Sequence, residues 1–174
     1  FGRPPLRRGY LLGVRDAELI LLEQTDFVAE PPGGNLLDST AADLTATFEL
    51  NAGHAATLVR AAHPHLVRAG GGAVVMVTSV TGSKVAPRTT YAVAKAAEIQ
   101  LSRSFALEGA PLGIRSNVVN PDAVIRGSKI WTGKWSEDRA AANKVAEHDL
   151  EAFYRDRSML KRSVFPEDIA EATY

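Results

Sequence analysis

The stretch GGGAVVMVTSV, residues 70–80, indicates the class of fold. Three glycines interrupt the preceding segment, and a continuous run of apolar, largely β-branched residues follows them. Such a run is typical of a strand that is buried on both faces, as in a parallel sheet covered by helices. It ends in Thr78 and Ser79, so polar side chains stand where the strand reaches its carboxyl end. We therefore expect an α/β protein built around this strand.

An amphipathic helix is predicted before this strand. Thr40 and Asp43 have the spacing of a capping box, which marks a helix start. Apolar side chains follow at helical intervals over residues 40–66. Because proline cannot donate a helical hydrogen bond, we expect this helix to bend or end near Pro64.

Further strands and helices alternate along the rest of the chain. Residues 17–24, AELILLEQ, are predicted to form a buried strand, residues 91–107 a helix and residues 114–120 another strand. Helical patterns follow over about residues 137–158, and a last helix starts near Pro166. This alternation predicts a doubly wound parallel sheet of the Rossmann type, with helices on both faces.

The domain organisation is read from composition along the chain. Residues 1–16 are basic and rich in proline and glycine, so we expect an irregular N-terminal segment there. Residues 17–174 are expected to form a single α/β domain, because this length fits one hydrophobic core.

The overall composition excludes several classes of protein. Twenty basic residues balance twenty acidic ones, so no net charge attracts the chain to nucleic acid or to a membrane surface. No apolar run is long enough to span a membrane. The chain contains no cysteine, which excludes thiolate metal sites and fits a reducing cytoplasm. We expect a cytoplasmic protein with a small-molecule substrate.

One pair of side chains has the chemistry of proton transfer. Tyr91 and Lys95 are four residues apart, so on a helix they lie on one face. A neighbouring ammonium stabilises a phenolate, which suits acid–base work on a hydroxyl or carbonyl group. Ser79 precedes Tyr91 by twelve residues, at the end of the central strand. Ligands of open α/β sheets bind at such strand ends.

Two more features stand at comparable places. Asn51 interrupts an apolar helix although asparagine is a poor helix former. Pro121 follows the third predicted strand and fixes the backbone there. A packing tyrosine over a solvated lysine is the alternative interpretation of the helical pair, but the four features recur in one order.

In that order they resemble the short-chain dehydrogenase/reductase family over roughly residues 35–172. The segments that carry the resemblance are FELN (48–51), GGAVVMVTS (71–79), YAVAK (91–95), GIRSNVVNP (113–121) and PEDIAEA (166–172). Residues 120–135 and the helix after them are further similar to the dehydrogenase half of bifunctional rhamnulose-phosphate aldolase/alcohol dehydrogenases. The resemblance implies a Rossmann-like fold, here without its N-terminal βαβ portion and its last strand.

The resemblance also implies catalytic roles. Tyr91 exchanges the proton with the substrate oxygen, and Lys95 stabilises the phenolate and holds the nicotinamide ribose. Ser79 hydrogen-bonds the substrate oxygen, and Asn51 anchors a water that leads to Lys95. The spacing from Ser79 to Tyr91 is one residue shorter than usual, which leaves Thr78 as an alternative, and Ser83 as a second one.

Cofactor contacts are implied beyond the third strand. Tyr91 and Lys95 contact the cofactor at its nicotinamide end, the backbone of Val124 meets the nicotinamide carboxamide, and Pro121 fixes its approach. The cofactor is NAD or NADP, and the residue that would discriminate them is not recognisable. Asp122 stands where the family usually has glycine, and Arg126 where it has threonine. The family's glycine-rich phosphate-binding turn is also not recognisable in the sequence.

Two functions remain open at this point. The first is an NAD(P)-dependent oxidoreductase that interconverts a small alcohol or hydroxy-aldehyde and its carbonyl form, such as lactaldehyde in deoxy-sugar catabolism. The second is a non-catalytic Rossmann-like domain that serves assembly or binds a partner. Both fit a homo-oligomer, a dimer or tetramer, because the helices over residues 40–66 and 91–109 are apolar on more than one face.

Two other groups of side chains invite a functional interpretation. Trp131 and Trp135 either line a substrate lid or pack a long loop. His63 and His65 flank a proline near a helix end, a placement more typical of a surface than of a metal site. We expect no bound metal.

Overall fold

The computed structural model describes residues 34–86, 88–125 and 131–174, and the backbone of residues 11–15 and 18–22. These residues belong to two compact units that divide between Val118 and Val119.

The first two strands form a hairpin. Strand β1 spans Leu11–Arg15 and pairs antiparallel with strand β2, Glu18–Leu22, with Leu11 opposite Leu22. Two predictions are therefore wrong here: residues 11–15 are not irregular, and the run over residues 17–24 does not join the parallel sheet. The physical reason is the connection. Only two residues separate the strands, and so short a link permits only an antiparallel neighbour.

A short parallel sheet forms the centre of the first unit. Strand β3 spans Gly72–Val77, and its neighbour β4 spans Ile114–Val119. Helix α3, Thr89–Gly109, connects them, as parallel neighbours require. The core lies on one face of this sheet and joins seven buried side chains of two helices and both strands: Ala55, Val59, Leu66, Val74, Met76, Phe105 and Ile114.

Strand β3 is not buried on both faces among the described residues, so that expectation is wrong for them. Val74 and Met76 are buried in the core, whereas Val77 is 46% exposed. Successive side chains of a strand point to opposite faces, and helices α2 and α3 pack on the face of Val74 and Met76. The apolar run correctly predicted a strand, but it did not predict how many faces of that strand are covered.

The predicted first helix is present but interrupted. Helix α1 spans Ala41–Phe48, a π-helical turn spans Glu49–Gly53, and helix α2 spans His54–Arg68. Pro64 lies inside α2, and this helix continues past the proline to Arg68. The predicted helix is interrupted earlier, at the π-helical turn.

The capping box at the start of α1 is confirmed. The side chain of Thr40 accepts a hydrogen bond from the backbone N–H of Asp43, and the Thr40 backbone N–H donates to the Asp43 carboxylate at 2.8 Å. That backbone bond, and then the bond from the Thr40 hydroxyl, hold the pKa of Asp43 below its ordinary value. The reciprocal bonds fix where the helix begins.

The described part of the second unit contains three α-helices. Helix α4 spans Lys134–Asn143, α5 spans Leu150–Arg157 and α6 spans Pro166–Thr173. The helical pattern over about 137–158 is thus two helices, separated at Lys144, which adopts a left-handed conformation at the end of α4. Pro166 stands in the first turn of α6, as predicted, where its missing N–H costs no helical hydrogen bond.

Candidate active site

Helix α3 brings Tyr91 and Lys95 together. The Lys95 ammonium lies 5.8 Å from the centre of the Tyr91 ring, as expected for residues one turn apart. Tyr91 is half-buried and is the third residue of α3, which starts at Thr89. A phenol and an ammonium therefore face the same side of the helix within interaction distance.

A carboxylate is the third side chain of this group. The Lys95 ammonium donates to the Glu98 carboxylate at 2.7 Å, and the two side chains are 12% and 9% exposed. Glu98 was missed by the sequence analysis. Its position three residues after Lys95 and seven after Tyr91 places all three on one helical face, which is a signal visible in the sequence.

Ser79 lies two residues beyond the end of β3. Its extended backbone precedes a short 3-10 turn, Val80–Gly82, and its hydroxyl oxygen accepts the N–H of Thr81 at 3.2 Å. Of the two alternatives, Thr78 is buried and Ser83 is exposed. Because neighbours on an extended chain point to opposite sides, Thr78 and Ser79 cannot both face the same ligand.

Gly82 allows the turn after Ser79 to lie directly against helix α3. A Cβ atom on Gly82 would lie 2.7 Å from the carbonyl carbon of Lys95 and 2.8 Å from the amide nitrogen of Ala96. Only a residue without a side chain allows this approach. The turn that carries Ser79 is thus held directly on the backbone beside Lys95.

We expect Gly82→Ala to lower both stability and turnover. The added methyl would force the turn away from α3, at a cost of about 1–3 kcal/mol for overpacking, and would move Ser79 relative to Tyr91. Displacements of this kind can lower turnover by roughly 100-fold. Urea unfolding and steady-state kinetics measure the two effects. Gly34→Ala is the matched control, because an added Cβ at Gly34 has no neighbour within 4 Å; equal effects of both substitutions would contradict the prediction.

Asn51 occupies the π-helical turn, and this turn packs against α3. Its side-chain amide donates to the carbonyl of Thr47 at 2.8 Å. Isolated π-helical turns are frequent at functional sites, because they rearrange the backbone carbonyls of a helix. The structure therefore places Asn51 on an element that contacts the helix of Tyr91 and Lys95.

Pro121 and Val124 belong to the second unit. Val124 forms a parallel bridge with Val164, and its carbonyl accepts the indole N–H of Trp131 at 2.7 Å. The backbone of Val124 is thus fixed by two contacts from later parts of the chain. Roles for Pro121 and Val124 in cofactor binding remain predictions.

The two tryptophans pack within an aromatic cluster of the second unit. Trp131 meets Trp135 edge-on at 6.0 Å and Tyr154 of α5 at 5.0 Å. The guanidinium of Arg139 lies 4.3 Å from the centre of the Trp135 ring. These contacts support the interpretation that the tryptophans pack the segment before α4 onto the following helices.

The histidines near Pro64 have contacts of their own. His63 lies edge-on to Phe105 at 6.3 Å, and Nδ1 of His65 lies 3.0 Å from the guanidinium of Arg68. Over residues 34–86, 88–125 and 131–174, no three His, Cys, Asp or Glu side chains come together in a way that could hold a metal ion. Among the described residues, no helix combines the length and the apolar character that crossing a membrane requires.

Comparison with known proteins defines the class. Residues 25–174 match the family model described as enoyl-(acyl carrier protein) reductase. The chain is 31% identical to dehydrogenase/reductase SDR family member 4 of Mus musculus over 140 residues, which are 79% of this chain and 45% of that protein. The chain belongs to this family of short-chain dehydrogenases/reductases, so the predicted family is confirmed.

A second relative is closer in sequence over a shorter span. The uncharacterized oxidoreductase YuxG of Bacillus subtilis (strain 168) is 49% identical over 84 residues, which are 48% of this chain and 12% of that protein. This chain spans less than half the length of each of these two curated relatives.

Solved structures confirm the Rossmann-like α/β fold. The L-sorbose reductase of Gluconobacter frateurii, solved in complex with NADPH and L-sorbose, has a TM-score of 0.70 at 22% identity. The match covers 84% of this chain and 56% of that one. A short-chain dehydrogenase/reductase of Burkholderia thailandensis has a TM-score of 0.64 at 27% identity, over 81% of this chain and 51% of that one.

Proposed function

We propose that this chain carries the catalytic residues of an NAD(P)-dependent oxidoreductase that interconverts a small alcohol or hydroxy-aldehyde and its carbonyl form. The observation that carries the proposal is the placement of Tyr91 and Lys95 on one face of α3, with the Ser79 turn held on the same helix by Gly82. Family membership supports it.

In this mechanism Tyr91 exchanges a proton with the reacting oxygen. During reduction its hydroxyl gives the proton to the developing alkoxide, and during oxidation its phenolate takes the proton from the alcohol. Lys95 stabilises the phenolate form by its positive charge. The Ser79 hydroxyl hydrogen-bonds the same oxygen and orients it toward Tyr91.

The residues of the site fit the nicotinamide end of a dinucleotide. The Lys95 ammonium has three N–H donors, of which one goes to Glu98, so others can bind ribose hydroxyls. The resemblance to the family assigns the carboxamide to the backbone of Val124, with Pro121 fixing its approach, and this assignment is part of the proposal. A bound nicotinamide would donate or accept the hydride, which no side chain of the protein can do.

The proposed substrate class is a small hydroxy-aldehyde such as lactaldehyde. Support comes from the similarity of residues 120–135 to dehydrogenase domains of bifunctional aldolases, and from the 49% identity to a relative several times longer than the 84 matched residues. On this proposal the dehydrogenase works beside a second catalytic domain in one polypeptide.

The proposal is tested with the full-length protein. Lactaldehyde and related short hydroxy-aldehydes and alcohols are offered with NAD, NADP and their reduced forms, and the absorbance of the reduced nicotinamide is followed. We expect turnover with at least one cofactor, and the highest kcat/KM with lactaldehyde. Turnover only with other substrates would overturn the substrate class. No turnover, with cofactor binding absent, would favour the non-catalytic alternative.

We further propose that the protein is a homo-oligomer that uses the outer face of α3. Val93 and Leu107 on this helix are 51% and 79% exposed, and a second copy of the chain could cover these apolar side chains. Light scattering at micromolar concentration is expected to give the mass of a dimer or tetramer. A monomeric mass would contradict the proposal.

A further inference from the structure

Helix α3 carries a carboxylate on its most buried face. Thr90, Ala94 and Glu98 are each four residues apart, and all three are buried. Residues at this spacing share one side of a helix. Glutamate is almost never buried unless it is paired, because an unpaired charge loses its hydration. The mechanism proposed above does not use Glu98, so its presence there needs a cause.

The partner of Glu98 is the lysine of the candidate active site. Its carboxylate accepts from the Lys95 ammonium at 2.7 Å, within the range of strong charge-assisted hydrogen bonds. Lysine has a flexible side chain that loses much rotamer freedom when it is fixed. One bond to Glu98 restricts the ammonium to a place on the Tyr91 side of the helix, and two of its three N–H groups remain for other acceptors.

We propose that Glu98 is a positioning residue that holds the Lys95 ammonium beside Tyr91. This inference rests on the proposed function, because it concerns a residue that supports Lys95 in the same site. In this role Glu98 acts through Lys95, its partner at 2.7 Å, and not on the reacting atoms. A carboxylate serves this purpose better than an amide, because it attracts the ammonium by charge as well as by a hydrogen bond.

The kinetic test is Glu98→Gln in the full-length protein. Glutamine keeps the size and an acceptor oxygen but removes the charge, so the ammonium is held less tightly. We expect kcat to fall roughly 10- to 100-fold, as for other losses of positioning, while the KM of the alcohol substrate changes less than about threefold. Glu108→Gln is the matched control, since Glu108 is on the same helix but exposed; its kcat should stay within about twofold.

A double-mutant cycle tests the pair without any need for activity. Glu98→Gln is expected to lower the midpoint of thermal unfolding in the wild-type background, because it leaves the ammonium buried without its counter-charge. In a Lys95→Met background the same change should raise the midpoint, because it removes a carboxylate that has lost its partner. Opposite signs in the two backgrounds are the signature of the pair.

The outcomes separate this inference from the proposed function. Opposite signs in unfolding together with a selective fall in kcat support the positioning role. Equal shifts in both backgrounds, or an unchanged kcat in Glu98→Gln, would overturn it while leaving the oxidoreductase proposal intact. If the wild-type protein had no turnover at all, the proposed function and the positioning role would both fail, and the cycle would still report whether the buried ion pair exists.

Discussion

Replacing Tyr91 by phenylalanine is expected to lower turnover by on the order of 10²- to 10⁴-fold, the usual contribution of a positioned acid or base. The substitution removes one oxygen atom and keeps the ring, so the packing around α3 should persist. Because the hydroxyl acts on the reacting oxygen in the proposed mechanism, the loss should appear in kcat. Cofactor affinity should change less than about threefold, because Lys95 and the backbone contacts of the nicotinamide end are unaltered.

The measurement is steady-state kinetics with cofactor titration by fluorescence. Tyr174→Phe removes a hydroxyl from a fully exposed tyrosine at the end of α6 and should leave both quantities unchanged. Turnover near the wild-type rate in Tyr91→Phe would show that another group transfers the proton. A large loss of cofactor affinity would show that the hydroxyl binds the cofactor rather than the substrate oxygen.

The helices and strands that carry the site were predictable because their signals are local. The β-branched run marks β3, the Thr40 and Asp43 pair marks the start of α1, and the spacing of Tyr91 and Lys95 needs only helical geometry. Each of these signals is set by neighbours in sequence, so no knowledge of the tertiary structure was required. The same locality explains why the start of α6 at Pro166 was correct.

Features that depend on tertiary contacts were not predictable in the same way. Glu98 could be seen in the sequence, but a glutamate in an alanine-rich helix is ordinarily solvated, and only packing shows that this one is buried. The π-helical turn at Asn51 is a similar case. A poor helix former marked the place, yet no sequence rule distinguishes a kink from a π-helical turn.

The arrangement after Ser79 combines both kinds of information. The place of Ser79 at the end of the strand was expected from the sequence, but the contact of the following turn with α3 depends on Gly82, whose lack of a side chain lets it approach the backbone of Lys95. This contact occurs in the segment between Ser79 and Tyr91, which is one residue shorter than is usual in the family. The turn that follows Ser79 lies directly on α3, the helix that carries Tyr91, although the connecting loop is one residue shorter.

Replacing Lys95 by methionine is expected to have the broadest effect of any single change at the site. It removes the partner of Glu98 and, in the proposed mechanism, the charge that stabilises the phenolate and the donor to the ribose. Turnover and cofactor affinity should therefore both fall, in contrast to Tyr91→Phe. Breaking a buried ion pair from one side costs about 3–5 kcal/mol, so the free energy of unfolding should fall by a comparable amount.

The chain supplies its own control for the electrostatic part of this argument. Lys134 and Asp138 form a second lysine–carboxylate pair at 2.9 Å, but their side chains are 83% and 62% exposed. Water and salt screen such a pair, so Lys134→Met should change the free energy of unfolding by less than about 0.5 kcal/mol. The two pairs differ little in distance and greatly in burial, and urea unfolding of both variants compares them directly. Equal losses would mean that the Lys95–Glu98 pair is as well hydrated as the surface pair, and then the ammonium would not be held firmly enough to orient a phenol or a ribose.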